Sequence, residues 1–256
     1  MTDAQATQAA LRRRLLPQPR ELRRLAGELE WYGQPFALQL QGAFTASQHQ
    51  SLLRVLASFL PGPDADASHS QFQELSLRVI CEGRTPNLAC APGVSDTDAL
   101  HSEAYELEIT QEGIVLSAST SLGVSRGMHT LAQILVYALG QTPSHGPTLE
   151  PGRIPCLHII DQPAFAWRGV LLDVARHFIE LPALIRTLEG MAHHKLNVLH
   201  LHLTDDQAFR FPSTAYPKLN QFGPTYSKAE LNALVAHAQR LGIRICLLYT
   251  SPSPRD

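Results

Sequence analysis

A chain of 256 residues has the length of one large domain or two ordinary ones. Hydrophobic residues make up 44% and charged residues 17%, enough apolar material for a packed core and too little charge for a disordered chain. The formal net charge of −2 comes with no basic stripe, which argues against a nucleic-acid partner, whose grip would rest on neutralising phosphates.

Residues 1–30 carry the run Arg12-Arg13-Arg14 and are expected to form an N-terminal extension with a solvated helix face. They hold no apolar stretch of the signal-peptide kind, so where the protein resides stays open. No segment nears the roughly 18 apolar residues of a membrane span. From 31 to 160, strand and helix signals mix. Phe36–Phe44 alternates apolar and polar residues, as a half-buried strand does. Ser47–Leu60 places Leu52, Val55, Leu56 and Phe59 at helical spacing, with Ser47 as candidate N-cap and Pro61-Gly62-Pro63 as the stop. Leu75–Cys81 alternates again. Tyr105–Thr110 and Ile114–Ala118, joined through Gln111-Glu112-Gly113, read as a hairpin. Leu122–Leu139 is a predicted helix ended by Gly140. The sum is an α+β domain, a small sheet covered by helices. Cys81, Cys90, Cys156 and Cys246 form no CxxC pair and no zinc spacing. They read as buried or free thiols, with a Cys81–Cys90 disulfide as the alternative.

A Pro/Gly-rich stretch at 141–151 and the strand-like Cys156–Ile160 lead to Asp161-Gln162-Pro163, the expected domain boundary. The character then changes through 161–245. Gly169–Val174, Asn197–Leu203 and Ile243–Leu248 are apolar strands, and Leu181–His194 and Ser227–Leu241 are helices. The first helix has Pro182 in its opening turn; the second starts with Ser227 and Glu230 at capping-box spacing. Alternating strands and helices, with strands apolar on both faces, predict a parallel sheet or a (β/α) barrel.

Asp173, Arg176 and His177 follow the first of these strands, and Thr204, Asp205 and Asp206 follow the second. C-terminal strand ends are where barrel enzymes place their chemistry, although helix caps and loop anchors sit there too. His200 and His202 share one side of their strand, a spacing that suits two neutral imidazoles on a metal. A metal-dependent barrel hydrolase is therefore one reading, and hydrogen-bonded histidines of the barrel wall the other. His193 and His194 end a helix, where a cationic His suits the dipole.

The run Trp167-Arg168-Gly169-Val170-Leu171-Leu172-Asp173-Val174-Ala175-Arg176-His177 resembles the opening barrel strand of the β-N-acetylhexosaminidases of glycoside hydrolase family 20. Lys195-Leu196-Asn197-Val198-Leu199-His200-Leu201-His202-Leu203-Thr204-Asp205-Asp206-Gln207 is similar to their second strand. Phe209-Arg210, Tyr216-Pro217-Lys218-Leu219 and Gly223 continue the likeness. Upstream, Gly123-Val124-Ser125-Arg126-Gly127 and Thr130-Leu131-Ala132-Gln133 resemble the family's accessory α/β domain. Leu201 stands where the family usually has Trp, and Ala208 where it often has Gly.

The resemblance implies an accessory α+β domain followed by the start of a (β/α)8 TIM barrel, incomplete at about three strands. It implies an exo-glycosidase acting on glycans or glycoconjugates with terminal β-linked GlcNAc or GalNAc, without cofactor or metal. The mechanism it implies is substrate-assisted and retaining. Arg176 matches the arginine that binds the sugar's 3- and 4-hydroxyls, and Asp205 the aspartate that supports the acid glutamate through a histidine. Arg168, Asp173, His177 and Asp206 match scaffold positions. The Asp-Glu pair and the partner histidine fall beyond the sequence, so these 256 residues are expected to be inactive alone. The run 246–256 departs from the family pattern and is expected to be a non-native tail. A non-catalytic carbohydrate-binding protein is a third reading, for which the sequence offers no exposed aromatic platform.

Overall fold

Leu75, Leu77 and Val79 are buried while Ser76 and Arg78 face solvent, and the same alternation recurs from Tyr105 to Ile109. The period-two runs thus become strands with one apolar face turned to a core. The computed structural model describes residues 3–31, 35–42, 44–57, 74–83, 101–138 and 152–248. The chain divides into two units, Met1–Ala166 and Trp167–Asp256.

Among the described residues, the first unit holds strands β1 (Glu21–Glu30), β2 (Phe36–Gly42), β3 (Leu75–Cys81), β4 (Tyr105–Thr110), β5 (Gly113–Ala118) and β6 (Arg153–Asp161). They form one sheet in the order β1-β6-β4-β5-β3-β2. The pairs β1/β6, β6/β4 and β4/β5 are antiparallel, and β3 runs parallel to β5 and to β2. Helices α1 (Asp3–Arg14), α2 (Ala46–Ala57) and α3 (Ser121–Ala138) share the core with the sheet. The motif Gly123-Val124-Ser125-Arg126-Gly127 has a packing reason. A Cβ at Gly127 would lie 2.3 Å from Leu116 Cδ1, and one at Gly123 would lie 2.3 Å from the Ala104 carbonyl oxygen. Glycine therefore lets α3 settle directly on the β4–β5 hairpin. Between the two glycines, buried Arg126 Nε donates to Glu103 Oε2 at 2.7 Å.

Residues 8–30, within the segment expected to be an extension, belong to the fold of the first unit. Leu11 and Leu15 of α1 are buried in this core, Gln8 Nε2 donates to the Leu22 carbonyl at 2.7 Å, and β1 pairs with β6 from Glu21↔Ile160 to Glu30↔Arg153. Leu22 and Leu29 stand an odd number of positions apart, which strict alternation would send to opposite faces. A bulge between Arg24 and Glu28, with Gly27 at φ 92°, turns both inward. The cap of α2 also differs from the expectation. Thr45, not Ser47, begins it: Gln48 N donates to Thr45 Oγ1 at 3.2 Å, and Thr45 N donates to Gln48 Oε1 at 2.8 Å. Cys81, Cys156 and Cys246 are free thiols. Cys90, Phe59, Pro61-Gly62-Pro63, Leu139-Gly140 and the 141–151 stretch lie outside the described residues.

The second unit runs β7 (Gly169–Asp173), α4 (Leu181–His193), β8 (Val198–His202), the short hairpin β9 (Thr204–Asp205) and β10 (Ala208–Phe209), α5 (Lys228–Arg240) and β11 (Arg244–Leu248). Its main sheet has the order β11-β8-β7 with both pairings parallel. The capping box at Ser227 and Glu230 is present in both directions. Leu199 and Leu201 pack with Leu184 and Leu188 of α4 and Leu234 of α5. Alternation then turns His200 and His202 to the other face of the sheet. The expectation of strands buried on both faces holds for β8 alone. Leu171, on the same face as His200, is 52% exposed, because no layer covers that face of β7 among the described residues. Cys246–Leu248, expected to belong to a tail, are strand residues paired with His200–His202, while 249–256 lie outside the described residues. No helix among the described residues is long and apolar enough to cross a membrane.

Candidate active site

Parallel pairing in register sets Asp173, the last residue of β7, beside His202, the last of β8. Both belong to the face turned away from the helices, at the C-terminal end of the sheet. The chain leaves β7 through a tight turn in which Arg176 N donates to Asp173 Oδ1 at 3.1 Å. That turn folds the guanidinium back over the strand end. Arg176 Nη1 donates to Asp173 Oδ2, and Nη2 lies 2.6 Å from Asp205 Oδ2. One guanidinium thus spans carboxylates from two neighbouring strand ends, 29 positions apart in the case of Asp205.

The β9–β10 hairpin places Asp205. Its residues pair as Asp205↔Ala208 and Thr204↔Phe209, and Asp206 N donates to Asp205 Oδ1 at 2.9 Å. His202 completes the cluster: its Nε2 stands 2.8 Å from the Thr204 carbonyl oxygen and 3.2 Å from Asp205 Oδ2, and its Nδ1 3.7 Å from Asp173 Oδ2. The Asp205 side chain is only 9% exposed, whereas that of Arg176 is half open to solvent. The site therefore offers an accessible cation on a base of recessed carboxylates.

The charges reinforce one another. Hydrogen bonding with Asp206 holds the Asp205 carboxyl below its ordinary range against desolvation, and the charges of Arg176 and His202 act in the same direction. Desolvation pushes Asp173 upward, but hydrogen bonds and charge from Arg176 prevail and leave it low. Arg176 itself is raised, first by its bond to Asp173 and against desolvation. Both carboxylates are thus anionic and Arg176 cationic at neutral pH.

Arg176 and Asp205, the two residues singled out in the sequence, are brought into direct contact. Asp173, read as scaffold, joins them. His200 is the next inward residue of β8, opposite Leu171 and Cys246. Among the described residues, no group of three or more His, Cys, Asp or Glu side chains could hold a metal ion, so the metal reading finds no ligand set there. His177 is exposed, and Asp206 acts through its backbone on Asp205. Arg168 serves the opposite end of the sheet, where its Nε donates to the Lys195 carbonyl and its N to Asn197 Oδ1. His193 departs from expectation: burial, then the neighbouring His194, disfavours its cationic form.

Arg210 had no warning in the sequence beyond its place in a motif. It is buried, and its guanidinium donates to three backbone carbonyls: Nε to Val174 at 2.9 Å, Nη2 to Ala175 at 2.9 Å and Nη1 to Pro224 at 2.7 Å. Val174 and Ala175 immediately precede Arg176. Arg210 thus fixes the turn that carries the candidate sugar ligand.

Two family models match the chain. The model of glycosyl hydrolase family 20, domain 2, matches residues 12–162, and that of the family's catalytic domain matches residues 165–253. The chain belongs to glycosyl hydrolase family 20. The domain 2 match takes in most of the segment expected to be an extension. Among curated relatives, a β-hexosaminidase of Akkermansia muciniphila is 34% identical over 205 residues, covering 75% of this chain and 40% of that protein. The β-hexosaminidase subunit beta of Felis catus is 35% identical over 156 residues, covering 59% and 28%. The X-ray structure of a Flavobacterium johnsoniae chitobiase is similar with a TM-score of 0.71 at 25% identity, covering 96% of this chain and 35% of that one. The chain spans well under half the length of these relatives. In fold, the family neighbours fit an N-terminal domain followed by the start of a barrel.

Proposed function

We propose that this chain supplies the accessory domain and the opening strands of the (β/α)8 catalytic barrel of an exo-acting β-N-acetylhexosaminidase. The enzyme would remove terminal β-linked GlcNAc or GalNAc from glycans and glycoconjugates. The observation that carries the reading is the Arg176–Asp205 contact at adjacent C-terminal strand ends, in a chain matched by both domains of a glycosidase family. A guanidinium has five N–H donors in a fixed fork. With Asp173 and Asp205 holding two of them, others are left for neighbouring hydroxyls of one sugar ring.

The mechanism we assign is substrate-assisted and retaining. The acetamido oxygen of the terminal sugar forms a bond to the anomeric carbon as the glycosidic C–O bond breaks. The departing oxygen takes a proton from a carboxylic acid, and water then opens the cyclic intermediate from the same face. Arg176 fixes the ring during both steps, and Asp205 supplies negative charge that helps to keep the acid protonated. The 256 residues contain no Asp followed directly by Glu. We therefore assign the acid, and the carboxylate that orients the acetamido group, to a strand outside this sequence.

The test is Arg176→Lys in the complete enzyme with 4-nitrophenyl β-GlcNAc. Lys replaces a fork with a single ammonium point, so kcat/KM is expected to fall by about tenfold or more. A variant within about twofold of the parent would remove Arg176 from the sugar site.

A further inference from the structure

His202 reaches both halves of the acidic cluster. Its backbone carbonyl accepts from Val174 N at 3.2 Å and from Ala175 N at 3.1 Å, at the head of the turn that carries Arg176. Its ring serves the hairpin that carries Asp205, with Nε2 2.8 Å from the Thr204 carbonyl oxygen and 3.2 Å from Asp205 Oδ2. A carbonyl oxygen only accepts, so Nε2 carries the hydrogen. Nδ1 stands 3.7 Å from Asp173 Oδ2, beyond hydrogen-bond length. The working edge of the ring is therefore Nε2, on the Asp205 side.

Both oxygens of Asp205 are engaged. Oδ1 accepts from Asp206 N at 2.9 Å, and Oδ2 lies between Arg176 Nη2 at 2.6 Å and His202 Nε2 at 3.2 Å. The two partners of Oδ2 differ in what they can hold. The Arg176 side chain is long and half open to solvent, and on the reading above it has to meet a sugar. The His202 side chain is 11% exposed, turns about two torsions only, and is pinned by its bond to the Thr204 carbonyl. A carboxylate that must keep its place while the arginine engages a ligand needs a partner of this second kind.

We propose that His202 is a positioning residue for the glycosidase reaction, whose Nε2–H edge keeps Asp205 Oδ2 against the Arg176 guanidinium as the sugar binds and leaves. The proposal rests on the assignment of Arg176 and Asp205 to the terminal-sugar site. His202 acts through Asp205 and is assigned no contact with the reacting atoms. Without that N–H, Oδ2 is left to a solvent-exposed guanidinium. Arg176 and the negative charge offered to the acid then both lose a fixed reference. The backbone bonds from Val174 and Ala175 survive any replacement of the side chain, so substitution at this position reports on the ring alone.

The experiment measures kcat/KM of the complete enzyme on 4-nitrophenyl β-GlcNAc in a double-mutant cycle. His202→Leu is expected to lower it by about tenfold. Against Asp205→Ala, where the group to be held is gone, the same change should cost about twofold or less. His202→Gln carries an amide N–H to the place of Nε2 and should return activity to within about threefold of the parent; His202→Asn reaches only the place of Nδ1 and should not. The circular dichroism of each variant should match the parent, and if His202→Leu fails to fold, the Gln and Asn variants decide. Equal losses with and without the Asp205 side chain, or Asn restoring activity as well as Gln, would overturn the proposal. His202→Leu within about twofold of the parent, with Arg176→Lys impaired, would overturn it and leave the sugar-site reading intact. A loss in His202→Leu that Gln restores and that vanishes against Asp205→Ala, with Arg176→Lys unimpaired, would support His202 and remove Arg176 from the sugar.

Discussion

Arg176 answers to two carboxylates that differ in their duties. Asp173 comes from its own turn, three positions earlier, and settles where the guanidinium lies. Asp205 arrives from the hairpin after the next strand, and hydrogen bonding with Asp206, then the charges of Arg176 and His202, hold its carboxyl low against desolvation. In the complete enzyme, Asp205→Asn removes an anion that would raise the pKa of a nearby acid. That acid would then lose its proton at lower pH, so the basic limb of kcat/KM should shift downward and kcat should fall. An unchanged pH profile would leave Asp205 as a cap of the β9–β10 hairpin. Strand-end position brought Arg176 and Asp205 into view in the sequence along with Asp173, His177, Thr204 and Asp206, and only the family resemblance set the two apart. The role of Asp173 was not legible, because whether a carboxylate three residues earlier reaches the arginine depends on the turn between them. His202 was legible as an inward residue, but not as a donor shared between the Thr204 carbonyl and Asp205, which needs the chain to bend directly after β8.

At the scale of elements, the second unit depends on a side chain that spans them. Arg210 joins the end of β7 to both ends of the loop after β10. Arg210→Lys can satisfy at most part of this set from one ammonium group and leaves buried carbonyls unpaired. A loss of about 2–4 kcal/mol is expected. Amide hydrogen exchange should show it first in residues 203–226 and in the turn at 174–176; protection equal to the parent's would mean that the loop holds without the clamp. The helices and apolar strands of this unit were readable because one periodicity ran through each. β1 was not, since the bulge at Gly27 breaks the alternation on which recognition depends. The start of α2 could have been read: Thr45 and Gln48 stand at capping-box spacing, but Ser47, nearer the apolar run, drew the assignment.

For the whole molecule, belonging to the family and carrying out its reaction are separate matters. The chain holds a sheet-and-helix core in its first unit and a candidate sugar ligand in its second, but no Asp-Glu pair. A polypeptide of these 256 residues is expected to show no turnover of a fluorogenic β-GlcNAc substrate above the buffer rate, since positioning without a proton donor leaves the departing oxygen unprotonated. Turnover that co-purifies with it and vanishes in Asp205→Ala would mean that the acid is already present. The sheet order has a separate consequence during synthesis. Among the described residues, Glu21 and its neighbours pair only with the strand that ends at Asp161, so β1 has no partner until more than a hundred further residues have been translated. At ribosomal speeds of about 5–20 residues per second, β1 waits on the order of ten seconds or more with its edge unpaired. Its charged positions, Arg23, Arg24, Glu28 and Glu30 among them, are of the kind that keep a waiting strand from pairing with a neighbour on the same message.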